Sequence, residues 1–231
     1  MEKQGCKGLD SKNVFIVSRP IQYINVLNIP LIDECENVLF IINSFEGAHD
    51  LLDFCKKDCL WADVRMFADT YKALEYVILC KPNKCKLFTY SDYGLKLHSY
   101  FRKLRKADLY LYEEGLATYI PSFSKWDIFK SVLFKVCNMS FRANANIGGY
   151  PYLRGIFVSN VVLYKTLKPN NKVPVMQFKM NLSNHLIQNK ENECPHVPKL
   201  AKFKPPRCPI GVYWNTLCLM RDVWTIKTYM I

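Results

Sequence analysis

The first half of this 231-residue chain predicts an α/β fold built on a parallel sheet. Apolar runs rich in Val, Ile, Phe and Tyr recur about every 25 residues, which is the spacing of alternating strands and helices. The first two runs are apolar almost throughout, as expected of strands that are covered on both faces. The segments between the runs carry apolar residues at helical spacing. Together these features predict a doubly wound, Rossmann-like sheet.

Five strands and three helices follow from these patterns in chain order. The predicted strands are residues 13–18, 37–43, 62–67, 86–91 and 107–112. The predicted helices are residues 47–57, 70–80 and 95–106. In the first helix, Leu51, Leu52 and Cys55 share one face because they lie one, three and four positions apart. A sheet with helices between its strands is therefore expected to begin near residue 13.

The composition excludes a disordered chain, because half of the residues are hydrophobic. The polar start of the chain lacks the apolar stretch of a signal peptide. No apolar run approaches the ~20 residues of a transmembrane helix. We therefore expect a cytoplasmic protein that is at most attached to a membrane surface.

The ten cysteines do not form the pattern of a metal site. They are scattered, no two of them form a CxxC pair, and none clusters with histidines at zinc-finger spacing. We expect reduced thiols and no bound metal.

The positive charge is concentrated in the second half of the chain. Residues 1–119 contain 16 Lys and Arg against 16 Asp and Glu, whereas residues 120–231 contain 16 against 4. This division favours a second unit that faces an anionic partner, such as nucleic acid, a nucleotide-sugar phosphate, lipid phosphates or an acidic glycan. The alternative is a solvated basic surface without a partner.

A further helix is predicted at residues 125–139. Its apolar residues recur at helical spacing, and lysines are interspersed among them at positions 125, 130 and 135. Such a helix can lie on a membrane surface. It can equally be a core helix whose lysines extend to solvent.

Candidate functional residues follow the ends of the predicted strands. In open α/β sheets, ligands bind beyond the carboxyl ends of the strands, so polar residues at those ends converge on one edge. The candidates at this edge are Ser18, Gln22, Asn43, Glu113, Glu114, Gly115, Thr118 and Tyr119.

The adjacent carboxylates of Glu113 and Glu114 have two interpretations. They can decorate a turn in which Gly115 adopts a positive φ angle. Alternatively, one carboxylate at the end of a buried strand can act as a general base. Gly115 would then leave room for a substrate, and the hydroxyls of Thr118 and Tyr119 lie close by in the sequence.

Three stretches resemble one family of enzymes. "LYLYEEGLATY" (109–119) resembles the Asp/Glu-Asp/Glu-Gly motif of bacterial sialyltransferases. "VFIVSRPIQYINVLNI" (14–29) is similar to their first strand and Gln-containing helix, and residues 147–169 are similar to their passage between domains. The likeness is to the lipooligosaccharide sialyltransferases of glycosyltransferase family 52 and the related polysialyltransferases. It covers residues 13–170.

The resemblance implies two Rossmann-like domains in the GT-B arrangement. Residues 1–145 would form the acceptor-side domain, and residues 146–231 a linker and a partial, basic donor-side domain. The implied donor is CMP-sialic acid, with no cofactor or metal. The implied acceptor is a glycan of a surface polysaccharide such as lipopolysaccharide, O-antigen or capsule, which can be lipid-linked and bring the enzyme to the inner membrane. Glu114 would be the base of an inverting transfer, with Glu113 beside it.

The chain departs from the family in its second half. The family's His-Pro motif is missing, since His196 lies in the order Pro-His-Val. Only 61 positions follow residue 170, fewer than the ~100 residues of a small domain. The resemblance therefore predicts an incomplete second domain and a C-terminally truncated enzyme.

Three alternatives to an active sialyltransferase stay open at this point. The chain can be a transferase with another nucleotide-sugar donor, or an inactive remnant. From a different class, the basic half would suit a nucleic-acid-binding module. No helix-turn-helix, RRM or zinc-finger pattern supports that last alternative, and we expect no nucleic-acid partner.

Overall fold

The computed structural model describes residues 8–33, 35–119, 148–169 and 171–178, together with residues 129, 132, 133, 135 and 136 of a helical segment. The strands are β1 Asn13–Val17, β2 Asn37–Ile42, β3 Trp61–Phe67, β4 Lys86–Thr89, β5 Asp108–Tyr112, β6 Leu153–Val158 and β7 Val175–Gln177. The helices with defined bounds are α1 Pro20–Leu27, α2 Ala48–Cys55, α3 Thr70–Cys80, α4 Leu95–Lys103 and α5 Val161–Leu167. Short 3₁₀ turns occupy Pro30–Asp33 and Leu116–Tyr119.

The strands form one parallel sheet in the order β3-β2-β1-β4-β5-β6-β7. The predicted α/β, Rossmann-like arrangement is thereby confirmed. All five predicted strands are present, with ends that differ by at most two residues, and α3 has the predicted bounds. The order reverses between β1 and β4, which is the point where such sheets bind their ligands.

Strands β6 and β7 extend this sheet beyond the five predicted strands. The prediction assigned residues 146–231 to a linker and a partial second domain, and within that range β6 and β7 continue the sheet that contains β1 to β5. The apolar run of β6 follows a stretch with Gly148, Gly149 and Pro151, and the sequence analysis took this stretch for a linker. The rest of the predicted second domain, residues 179–231, lies outside the described residues.

The helices cover the two faces of the sheet because successive strand residues point to opposite sides. Val14 and Ile16 of β1 belong to the core on the side of α3, α4 and α5. Phe15 and Val17 belong to the core on the side of α1 and α2. All five residues of β1 are buried, which explains why this strand is apolar without alternation.

A row of aromatic rings joins four neighbouring strands on one face. Phe15 of β1 stacks on Phe88 of β4 with 4.5 Å between ring centroids, and Phe88 stacks on Tyr110 of β5 at 5.0 Å. Tyr110 then contacts Phe157 of β6 at 6.0 Å. Because these contacts cross the point where the strand order reverses, they hold the two halves of the sheet together.

The buried carboxylate of Asp92 fixes the chain that leads into β6. It accepts hydrogen bonds from the backbone N–H groups of Gly148 at 3.0 Å and Tyr150 at 2.7 Å. Gly148 has a φ of +91°, and a Cβ atom there would lie 2.5 Å from the side-chain nitrogen of Asn171. Burial lowers the pKa of the nearby Lys168 ammonium, and the charge of Asp92 partly offsets this effect.

The helices in the described part of the chain are short. Those with defined bounds range from seven residues in α5 to 11 in α3. None of the described helices combines the length and the apolar character that crossing a bilayer requires.

Replacing Asp92 by Asn should change how stability depends on pH. Burial raises the pKa of the Asp92 carboxyl to about 6, above its ordinary value of 3.8, so the folded chain binds this proton more tightly than the unfolded chain. The contribution of Asp92 to stability is therefore greatest at low pH and declines as the pH rises through about 6. The wild-type advantage over Asp92→Asn should shrink by about 2 kcal/mol between about pH 4.5 and pH 7.5.

Urea unfolding of both chains across this pH range measures the difference. An advantage that stays constant would show that the carboxyl of Asp92 does not titrate in this way.

Candidate functional site

A cleft of about 450 Å³ opens at the edge of the sheet where the strands have their carboxyl ends. Its walls come from the residues that directly follow β1, β2, β3, β4 and β5. They include Ser18, Arg19, Ser44, Asp69, Thr70, Tyr90, Ser91, Tyr93 and Glu114. Residues that are far apart in the sequence therefore meet at one place because their strands are parallel and adjacent.

The wall after β1 is held by Gln22, which is fully buried in the first turn of α1. Its side-chain oxygen accepts hydrogen bonds from the backbone N–H of Ser18 at 2.6 Å and from the Ser18 hydroxyl at 3.1 Å. Ser44, which follows β2, donates its hydroxyl to the carbonyl of Ser18 at 3.0 Å. The turns after β1 and β2 are thereby tied to each other at the cleft.

The carboxylate of Glu113 is occupied by protein donors. One of its oxygens accepts hydrogen bonds from the Tyr119 hydroxyl at 2.6 Å and from both the backbone N–H and the hydroxyl of Ser159 at 2.7 Å. The N–H of Asn160 donates to the Tyr119 oxygen at 3.0 Å. Burial, and next the bond to Glu113, raise the pKa of Tyr119, which keeps its hydroxyl protonated as a donor. Glu113 therefore joins the end of β5 to the end of β6.

The side chain of Glu114 instead lines the cleft. It is 22% exposed, and one carboxylate oxygen lies 3.7 Å from the guanidinium of Arg19. Its backbone N–H donates to the Thr118 hydroxyl at 3.0 Å, so the chain turns directly after it. Gly115 has a φ of +140° at this turn, a conformation that favours glycine. The two adjacent carboxylates thus have different surroundings.

Hydroxyl groups dominate the remaining wall. The hydroxyls of Thr70 and Tyr90 lie 2.7 Å apart and share a hydrogen bond. The oxygen of Ser91 accepts the backbone N–H of Tyr93 at 3.1 Å, and the ring of Tyr93 is about half exposed. Hydroxyls that both donate and accept, next to aromatic rings, suit a ligand that is itself rich in hydroxyl groups.

The charge in the cleft is slightly negative. Along the described part of its wall, Arg19 is the one cationic side chain, whereas Asp69 and Glu114 are acidic. Asp69 also caps α3 by accepting the N–H of Lys72 at 2.9 Å. Among the described residues, no group of three or more His, Cys, Asp or Glu side chains could hold a metal ion.

Two of the eight candidates from the sequence, Ser18 and Glu114, line the cleft. Gln22, Glu113, Thr118 and Tyr119 are buried beside it and hold its walls. The Asn43 side chain is exposed, and its backbone N–H donates to the carbonyl of Phe67 at 2.8 Å. The structure thus places most of these residues next to the cleft rather than in it.

The candidates predicted from the sequence do not include the part of the wall that follows β3. Asp69 and Thr70 line the cleft there, and Arg19, which follows β1, lines it 3.7 Å from Glu114. The rule that located the other walls applies equally to the predicted strand 62–67, so the signal was present. Arg19 directly follows the predicted strand 13–18, so the same rule places it at this edge, but it does not predict which residue Arg19 contacts.

Comparison with known protein families and with curated proteins finds no match to this chain. The sialyltransferase interpretation therefore depends on the motif residues and on the geometry of the cleft.

Replacing each carboxylate by its amide should separate their roles in stability. Glu113→Gln weakens three hydrogen bonds to a buried anion and should lower the free energy of unfolding by about 1–3 kcal/mol. Glu114→Gln removes only a long ion pair with an exposed arginine and should cost less than about 1 kcal/mol. Urea unfolding of the two variants and the wild type at one pH gives both values. Equal losses would contradict the division of roles between the two residues.

Proposed function

We propose that this chain is a glycosyltransferase of the sialyltransferase type, in which Glu114 is the general base. The observation that carries the proposal is the position of the Glu114 carboxylate, in a hydroxyl-lined cleft at the carboxyl edge of a parallel sheet. The motif around residues 109–119 supports the same assignment. The sheet would be the acceptor-side domain of a GT-B enzyme.

In the proposed reaction, a hydroxyl group of the acceptor sugar lies against Glu114. The carboxylate removes its proton while the oxygen attacks the anomeric carbon of the donor sugar. The bond from that carbon to the phosphate oxygen breaks, and CMP leaves with the electron pair. The configuration at the anomeric carbon is inverted because the attack comes from the opposite face.

The two carboxylates have separate tasks in this mechanism. Glu113 already accepts three hydrogen bonds and positions the turn that carries Glu114. Glu114 has one distant ionic partner, Arg19, whose exposed side chain can move away when a substrate enters. This difference supports Glu114 over Glu113 as the base.

The donor phosphate requires cations from elsewhere in the chain. The described wall of the cleft supplies only Arg19, and Glu114 lies beside it. Residues 120–231 carry 16 Lys and Arg against 4 Asp and Glu, so the basic half is the natural place for the phosphate. A transferase with a different nucleotide-sugar donor would use the same base, and its donor phosphate would likewise bind to the basic half of the chain.

Glu114→Gln should abolish transfer while leaving the fold intact. A positioned general base typically contributes about 10²–10⁴-fold to the rate, so kcat should fall by about that factor. Transfer of labelled sialic acid from CMP-sialic acid to a mixture of surface glycans measures the rate. Glu46→Gln is the matched control, since Glu46 is exposed and lies outside the cleft wall. Unchanged transfer in Glu114→Gln would exclude this residue as the base.

CMP should stabilise the chain against unfolding. A ligand at 100 times its dissociation constant adds about 2.7 kcal/mol. Thermal unfolding with CMP, UDP and GDP therefore shows which nucleotide the chain binds. A shift with CMP alone supports the sialyltransferase assignment, whereas a shift with UDP or GDP alone points to another donor. The absence of any shift would favour an inactive remnant.

A further inference from the structure

Four described residues of a helical segment, at positions 129, 132, 133 and 136, expose large apolar side chains. Phe129, Val132, Leu133 and Val136 have helical backbone and are 59%, 55%, 39% and 78% exposed. We call these four residues the apolar stripe. Their spacing of three, one and three positions places them on one face of the helix. Single exposed apolar residues are normal on a protein surface, but a contiguous stripe indicates an interaction site.

Lysine residues lie close to the stripe in the sequence. Lys135 is exposed within the same helical segment, and the sequence has two further lysines at positions 125 and 130. The predicted helix at residues 125–139 thus contains three lysines against one acidic residue, Asp127. The partner of this surface must therefore accept aliphatic and aromatic side chains and also carry negative charge.

We propose that the apolar stripe docks on the surface of an anionic phospholipid bilayer. A helix with one apolar face and lysines around it lies in the plane of the interface, with its apolar side chains at the boundary between headgroups and acyl chains. The exposed Lys135 then meets the lipid phosphates, which attract basic segments close to the membrane.

Other partners fit these properties less well. A nucleic acid would meet the lysines but would leave four large apolar side chains without an apolar environment. A second copy of the chain would bring two lysine-rich segments together and oppose like charges. The bilayer surface supplies both the apolar environment and the negative charge.

Vesicle binding by the full chain tests the proposal. The wild type should sediment with vesicles of phosphatidylcholine containing roughly one-third phosphatidylglycerol, but not with phosphatidylcholine alone, and high salt should release it. Val136→Asp should weaken binding at least about tenfold because it places a charge in the apolar face. Lys135→Gln should weaken it about fivefold.

Val162→Asp is the matched control. Val162 is 76% exposed on α5, close to the 78% of Val136, and it lies outside the stripe. This variant should bind vesicles as the wild type does. Thermal unfolding of both aspartate variants checks that they remain folded, and Val132→Asp repeats the test at a second stripe position.

Three results would overturn the proposal. The first is the absence of binding to anionic vesicles by the folded wild type. The second is an equal loss of binding in Val136→Asp and Val162→Asp. The third is a lipid-independent self-association that Val136→Asp abolishes, which would assign the stripe to a second copy of the chain. None of these results depends on whether the chain transfers a sugar.

Discussion

The hydrogen bonds around Glu113 hold together the part of the fold that contains the cleft. Its backbone N–H donates to the carbonyl of Phe157 in β6 at 2.9 Å, and its carbonyl accepts the side chain of Asn25 in α1 at 2.7 Å. Its carboxylate accepts three further hydrogen bonds from Tyr119 and Ser159. One residue thus joins β5 to α1, to the following 3₁₀ turn and to β6. A buried charge is tolerated in such a place because its donors replace the water that it has lost.

The position of Glu114 follows from this arrangement. Side chains of consecutive residues in an extended chain point in opposite directions, so fixing Glu113 towards Ser159 directs Glu114 away from it and into the cleft. The bond from the N–H of Glu114 to Thr118 and the positive φ of Gly115 complete the turn. In our proposal, Glu113 therefore takes no part in the chemistry, but it positions Glu114, which does.

The sequence predicted the central strands well because they are buried on both faces. Such strands are apolar almost throughout, and β1 and β2 could be located to within one residue from that pattern alone. Strand β7 has only three residues, none of them fully buried, so its composition carries little signal. It is a strand because β6 lies next to it, and such tertiary effects override local preference.

The candidate site could be predicted in its location but not in its internal roles. The rule for parallel sheets places Glu113 and Glu114 at the ligand edge, and it does not distinguish between them. The distinction depends on Ser159, which lies 46 positions away and follows a strand that the sequence analysis did not predict. The same holds for Arg19, whose contact with Glu114 exists only because β1 and β5 lie on either side of β4.

The distribution of charge connects the cleft with the rest of the chain. A general base must stay ionised and accessible, and a wall crowded with cations would hold its carboxylate in ion pairs. The described wall has a single arginine, at a distance of 3.7 Å, so Glu114 stays available to a hydroxyl group. A phosphate-bearing donor needs the opposite environment, as does a helix that docks on anionic lipid. In our two proposals, the cations for the donor phosphate and for the lipid come from residues 120–231, with 16 Lys and Arg against 4 Asp and Glu, rather than from the described cleft wall.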